Sequence, residues 1–138
     1  MLSNKYKKIL ITGASSGIGK ATVKLLTEKK FEVYALARRK TQLTKISAET
    51  GCKILQLDIR NTKDIQKLKK FNFDVLINNA GLGKGFEPIY KTKIDDIKVT
   101  VDTNVTALLQ MIRCILPNMI KNKKGHIINI GSIAGLYP

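Results

Sequence analysis

Lys8-Ile9-Leu10-Ile11-Thr12 runs directly into Gly13-Ala14-Ser15-Ser16-Gly17-Ile18-Gly19, and this stretch decides the fold. A short apolar strand meets a turn with three glycines in seven residues, and an amphipathic helix follows at once. Glycines here let the backbone turn tightly and let a large anion approach the amides at the helix start. The dinucleotide fingerprint is Gly-x-Gly-x-x-Gly. The spacing here is Gly-x-x-x-Gly-x-Gly, although the context, strand before and helix after, is the right one. The competing reading is a strand–helix turn that uses glycine only for packing. The helix reads Ile18, Ala21, Leu25 and Leu26 on one face, with Lys20, Lys24 and Lys29 off it.

Working outward from this turn, strand and helix patterns alternate. Strands are expected at 31–37, 53–58, 73–78 and 126–130. Leu43 and Ile46 mark a helix stopped by Gly51, and Ile65 and Leu68 mark another capped by Asn61 or Thr62. A polar, glycine-rich loop runs from Gly81 to about Lys93. A long helix starts near Asp95, marked by Val101, Val105, Leu108, Leu109, Ile112 and Leu116, and Pro117 should kink or break it. Five strands alternating with four helices predict an α/β fold, a Rossmann-type doubly wound parallel sheet in one domain, 1–138. Ligands of such sheets bind beyond the carboxyl ends of the strands. The glycine turn, Arg38, Asp58, Asn79 and Ser132 all fall at those ends.

Composition bounds the function. The 138 residues are 43% hydrophobic, ordinary for one globular domain. No uninterrupted apolar run approaches the ~20 residues of a membrane span, and the apolar run after the basic start is too short for a signal-peptide core. A cytoplasmic protein without a membrane partner is expected. The net charge of +15 raises nucleic acid as a partner. However, the basic residues are 21 lysines and four arginines spread along the chain, without aromatic interleaving. Nucleic-acid binding therefore stays a secondary alternative, and attraction for anionic ligands follows from the same charge. Cys52 and Cys114 have no metal-ligand spacing, Cys114 reads as a core residue, and His126 opens a strand, so no metal site is expected.

In NAD-binding sheets an acidic residue near the end of the second strand holds the adenosine ribose. Here that end reads Ala37-Arg38-Arg39. Two guanidiniums suit a 2′-phosphate that a carboxylate would repel, so the reading favours NADP(H) over NAD(H).

Thr12-Gly13-x-x-x-Gly17-Ile18-Gly19, Leu57-Asp58-Ile59, Asn78-Asn79-Ala80-Gly81, Asp102-Thr103-Asn104-Val105 and Ile128-Asn129-Ile130-Gly131-Ser132 occur in this order. With them the chain resembles the N-terminal part of a classical short-chain dehydrogenase/reductase. A narrower likeness, to the NADP-dependent 3-hydroxy acid (serine-type) dehydrogenases, rests on Gly83 to Pro88, Asp102-Thr103-Asn104, Ile115-Leu116-Pro117 and Gly125 to Ser132, and implies small hydroxy acid substrates. The resemblance implies that Gly13, Ser15, Ser16, Gly17, Ile18 and Gly19 hold the pyrophosphate. It implies that Asp58 accepts from the adenine amino group, and that the Ile59 amide donates to the ring. Asn79, Ala80 and Gly81 would line the cofactor. Ser132 would hydrogen-bond the reacting oxygen, and Asn104 would hold a water in a proton relay. Arg38 and Arg39 complete the expected cofactor set.

The family's general acid is a tyrosine in Tyr-x-x-x-Lys beyond the serine. No such motif occurs in these residues, and Tyr137, followed by Pro138, has no lysine partner. The expectation is a fold truncated after the fifth strand, inactive alone, with that strand as an exposed edge. The alternative is a non-catalytic cofactor-binding fragment or split-chain partner. Full-length relatives are expected to form homo-oligomers, in part through the long helix.

Overall fold

A computed structural model describes residues 5–136. Tyr137 lies outside them. Five parallel strands form one sheet in the order β3-β2-β1-β4-β5: β1 (Lys8–Thr12), β2 (Glu32–Ala37), β3 (Lys53–Gln56), β4 (Val75–Asn78) and β5 (His126–Asn129). The chain moves outward from β1 to β3, then crosses back to place β4 on the other side of β1. That reversal opens a crevice between the carboxyl ends of β1 and β4, the place where such sheets take ligands.

Alternate strand residues serve opposite faces. Ile9, Ile11, Val33, Ala35, Val75 and Ile77 pack against α1 (Gly17–Glu28) and α2 (Lys40–Thr50). Leu10, Tyr34, Leu36 and Leu76 pack on the other side. Their partners are α3 (Thr62–Gln66), the 3₁₀ turn Lys67–Lys70 and the long helix. The sheet is therefore wound on both faces. The local signals explain the ends. Gly51 takes the left-handed conformation (φ 74°) that closes α2. Asn61, not Thr62, caps α3, its side chain accepting from the Lys63 and Asp64 amides.

Three expectations are corrected. In α1 the buried positions are Gly19, Val23 and Leu26, at the i, i+4, i+7 spacing of one face. Ile18 and Leu25 lie outside that stripe and are 65% and 52% exposed. The long helix is not broken at Pro117. It runs as α4 (Ile94–Val101), a π turn (Asp102–Thr106) and α5 (Ala107–Lys121), so its irregularity lies a dozen residues earlier. Its core-facing positions are Ala107, Met111, Cys114, Ile115 and Met119, whereas Val101, Val105, Leu109 and Leu116 are exposed. By length and composition Ile94–Lys121 could cross a membrane. In the fold, one side of it covers the sheet and the other carries the exposed apolar stripe. β5 is an edge strand, with Ile128 and Ile130 37% and 42% exposed.

The amino ends of the strands are tied at Asp74. Its carboxylate accepts from the Lys7 and Lys8 amides at 2.7 and 3.0 Å and pairs with Lys124 at 2.7 Å. Burial pushes this carboxyl up, but Lys124 and the two amides together outweigh it and hold it below its ordinary value. The unfolded group titrates near ~3.9. A lowered folded value means the contribution is complete above about pH 4 and is lost as pH falls through the folded value. Asp74→Asn should therefore destabilise at neutral pH and flatten the acid limb of the stability curve, as read by urea unfolding at stepped pH.

Candidate cofactor-binding site

The crevice at the β1–β4 reversal is a cleft of about 610 Å³. The glycine turn forms its floor. Gly13 and Gly17 stand at φ 64° and 52°, a conformation that side chains disfavour. Gly19 is required for space: a Cβ there would overlap the Gly13 carbonyl oxygen and lie 2.5 Å from Asn79 Nδ2. The turn thus sits flush against β4. Ser16 is the N-cap residue of α1 but its side chain makes no capping bond, and the first turn holds no acidic residue. The opening amides of this 12-residue helix consequently have no side-chain acceptor. They face an anion's natural position.

Two pairs of bonds lock β4 to the turn. Asn79 Nδ2 donates to the Thr12 and Gly13 carbonyls at 3.0 and 3.2 Å. The Thr12 hydroxyl, 1% exposed, accepts from the Asn79 and Ala80 amides at 3.1 and 3.0 Å. Asn78 turns away and bonds Asn129 across β4 and β5. Thr12→Val keeps the shape but strips two amides of their acceptor. It should cost about 2–6 kcal/mol of stability at ~1–3 kcal/mol per orphaned group, measured as a shift in the urea midpoint.

At the end of β2, Arg39 Nη2 donates to Ser15 Oγ and Ser16 Oγ at 3.1 and 3.2 Å. The Arg38 guanidinium makes no hydrogen bond or ion pair among the described residues, and acts on Asp58 only through its charge, while the Arg38 carbonyl accepts from Gln56 Nε2 at 3.3 Å. Two guanidiniums and two hydroxyls therefore gather at the cleft mouth.

Beyond β3, Asp58 is gripped by Arg60. Arg60 Nε–H and its backbone amide donate to Oδ1 at 3.2 and 2.9 Å, and Nη2–H donates to Oδ2 at 2.9 Å. Arg60 above all, against the opposing effect of burial, holds the Asp58 carboxyl below its ordinary value. The carboxylate is ionised at neutral pH. Ile59 is buried beside it.

The structure thus brings Gly13, Ser15, Ser16, Gly17, Ile18, Arg38, Arg39, Asp58, Ile59, Asn79, Ala80 and Gly81 around one cleft, with Gly19 packed beneath the turn. Ile18, misplaced as a core residue, is a wall of that cleft. Asn104 and Ser132 are not among its lining residues. Asn104 sits in the π turn and spends its side chain on Leu82, accepting from the amide at 2.9 Å and donating to the carbonyl at 2.6 Å. It thereby pins the loop that lines the cleft. Ser132, exposed at the end of β5, caps a 3₁₀ turn by accepting from the Ala134 amide at 3.1 Å. Its hydroxyl proton remains available to a further acceptor. Sequence reasoning missed Thr12, Arg60 and Thr103, which also lines the cleft and is 7% exposed, its hydroxyl unpartnered. A threonine closing a strand of otherwise buried apolar residues was a readable signal for Thr12, since a buried hydroxyl needs a partner.

The short chain dehydrogenase family model matches residues 7–138. The chain belongs to the short-chain dehydrogenase family. Among curated relatives, the NADP-dependent 3-hydroxy acid dehydrogenase YdfG of Salmonella typhi is 39% identical over 138 residues, 94% of this chain and 56% of that protein. The NADP-dependent 3-hydroxy acid dehydrogenase of Schizosaccharomyces pombe is 40% identical, over 94% of this chain and 55% of that protein. The chain therefore spans about half the length of these relatives. Among solved structures, serine dehydrogenase from Escherichia coli superposes with a TM-score of 0.90 at 39% identity, covering 95% of this chain and 64% of that one. A closed form of serine dehydrogenase complexed with NADP+ gives 0.91 at 39% identity, covering 95% of this chain and 56% of that one.

Proposed function

We propose that this chain carries the NADP(H)-binding half of an oxidoreductase acting on a small hydroxy or oxo compound, with 3-hydroxy acids as the favoured class. The observation that carries this is the grouping of Arg38, Arg39, Ser15 and Ser16 at the mouth of a glycine-floored cleft. A 2′-phosphate would meet the Arg38 guanidinium and draw Arg39 from the two hydroxyls it now bridges. The α1 amides would take the pyrophosphate, and Asp58 and the Ile59 amide would read the adenine. The donor set fits this cofactor: cationic where the extra phosphate lies, rich in glycine and in uncapped helix amides where the pyrophosphate must approach. The names of the two curated relatives, both NADP-dependent and both acting on 3-hydroxy acids, support the same class.

NADP(H), when bound, supplies or accepts the hydride. In this reading Ser132 hydrogen-bonds the reacting carbonyl or hydroxyl oxygen of the substrate. Asn104, whose side-chain amide is committed to Leu82, would hold a relay water beside that loop. These 138 residues hold no Tyr-x-x-x-Lys. That observation favours a second reading, cofactor binding without turnover by these residues alone.

The exposed stripe of Val101, Val105, Leu109, Leu116 and Ile120 suits burial against a second copy, so a homo-oligomer is proposed for the complete enzyme. We read the protein as cytoplasmic, with neither membrane nor nucleic acid as its partner. The test is a titration with NADPH alongside an assay of 3-hydroxy acid oxidation with NADP+. NADPH binding without turnover is expected, with binding unchanged by duplex DNA at moderate salt. Oxidation at an ordinary enzymatic rate contradicts the predicted inactivity of these residues alone. Displacement of NADPH by DNA contradicts the choice of ligand.

A further inference from the structure

We infer that Arg60 is a specificity-determining positioning residue: its fork on Asp58 fixes the carboxylate as a reader of adenine against other purines. The inference rests on the nucleotide reading above. Arg60 lines the cleft, and both Asp58 oxygens are engaged by its guanidinium, Oδ1 by Nε–H and Oδ2 by Nη2–H. A bidentate fork sets the plane of a carboxylate as well as its charge. The Arg60 amide adds a bond to Oδ1.

Among the described residues Oδ2 accepts a single hydrogen bond, and a carboxylate oxygen can accept two. The backbone of this segment is held separately. The Asp58 amide donates to Asp64 Oδ2 at 3.1 Å, and the Asn61 amide donates to the Asp58 carbonyl at 2.9 Å. Loss of the Arg60 side chain therefore leaves the Asp58 carboxylate held only at Oδ1, by the Arg60 amide, and free to turn about that one bond, without unfolding the turn.

Adenine offers an amino donor beside a ring-nitrogen acceptor. An oriented Asp58 carboxylate next to the Ile59 amide is the complementary pair. Hypoxanthine reverses both polarities, presenting a carbonyl to the carboxylate and an N–H to the amide. A carboxylate fixed in plane rejects that pattern. One free to rotate turns its lone pairs aside and rejects it less. A role for Arg60 as mere positive charge would instead act on the phosphates and weaken both bases equally.

The experiment titrates the 138-residue chain with NADPH and with deamino-NADPH, in which hypoxanthine replaces adenine. Wild type, Arg60→Gln, Arg60→Lys and Asp58→Asn are compared. The expected result is a preference for the adenine form that falls about five-fold in both Arg60 variants, because lysine restores charge but not the fork. Asp58→Asn should lose the preference as well. If both Arg60 variants keep the wild-type preference while Asp58→Asn loses it, the role of Arg60 is overturned and the reading of Asp58 stands. If Asp58→Asn also keeps it, the reading of Asp58 fails and the inference goes with it.

Discussion

Gly19→Ala should weaken NADPH binding by about 100-fold and destabilise the fold by about 2–3 kcal/mol, the cost of forcing an atom into a packed site. The added methyl would coincide with the Gly13 carbonyl oxygen and crowd Asn79 Nδ2. Neither neighbour is the loose end of a flexible side chain. The carbonyl is backbone, and the Asn79 amide is held by two bonds to the turn itself. Relief requires lifting α1 away from β4, which breaks the Asn79 bonds and tilts the uncapped amides out of line. Gly17→Ala is the informative companion. A Cβ at Gly17 meets nothing within 4 Å, so that substitution carries only the strain of φ 52°, roughly 1–2 kcal/mol for a left-handed side chain. Ligand titration with parallel urea unfolding separates the two. Equal, small effects at both positions would show that the turn is not pressed against β4.

Arg38→Asp should reverse the cofactor preference. NADPH binding should fall by roughly 100-fold, reflecting a lost charge-assisted contact of about 1.5–3 kcal/mol together with new repulsion. NADH binding should hold or improve, because a carboxylate there accepts from the ribose hydroxyls. Arg38 suits this test. Its side chain makes no hydrogen bond or ion pair among the described residues, and its one bond, from Gln56 to the backbone carbonyl, survives the substitution, so its replacement removes little from the folded protein. Arg39 would confuse the result, since it is already bound to Ser15 and Ser16. Competitive titration with both cofactors decides it, and parallel losses for the two would remove Arg38 from the site.

Much of this was legible in the order of residues along the chain. The glycine turn, the five strands and the αL stop at Gly51 follow from local rules, whereas the sheet order, with β4 returning past β2 to lie beside β1, is set only by the fold. All five strands came out within two residues of their observed ends, because buried parallel strands are continuous apolar runs bounded by polar residues. Helix faces were harder. On the long helix almost every side is apolar, so Val101, Val105 and Leu109 marked the helix without revealing that Ala107, Met111 and Cys114 face the sheet. Only the position of the sheet separates those two stripes.

The π turn left no trace in periodicity, since one extra residue in a turn alters hydrogen bonding more than hydrophobic spacing. Arg60 was invisible for another reason. Its importance lies in a contact two residues back in the chain, and arginine beside aspartate in a loop has no fixed geometry until the turn around Asn61 is built. Asn104 was recognised by pattern, but its grip on Leu82 needed the fold, because the two lie 22 positions apart in the chain.

The most direct measurement is a paired equilibrium titration of the wild-type chain with NADPH and with NADH at fixed, moderate ionic strength. The account predicts NADPH binding at least about ten-fold tighter, a gap of some 1.4 kcal/mol that narrows as salt screens the 2′-phosphate from Arg38 and Arg39. Equal affinities, or tighter binding of NADH, would contradict it.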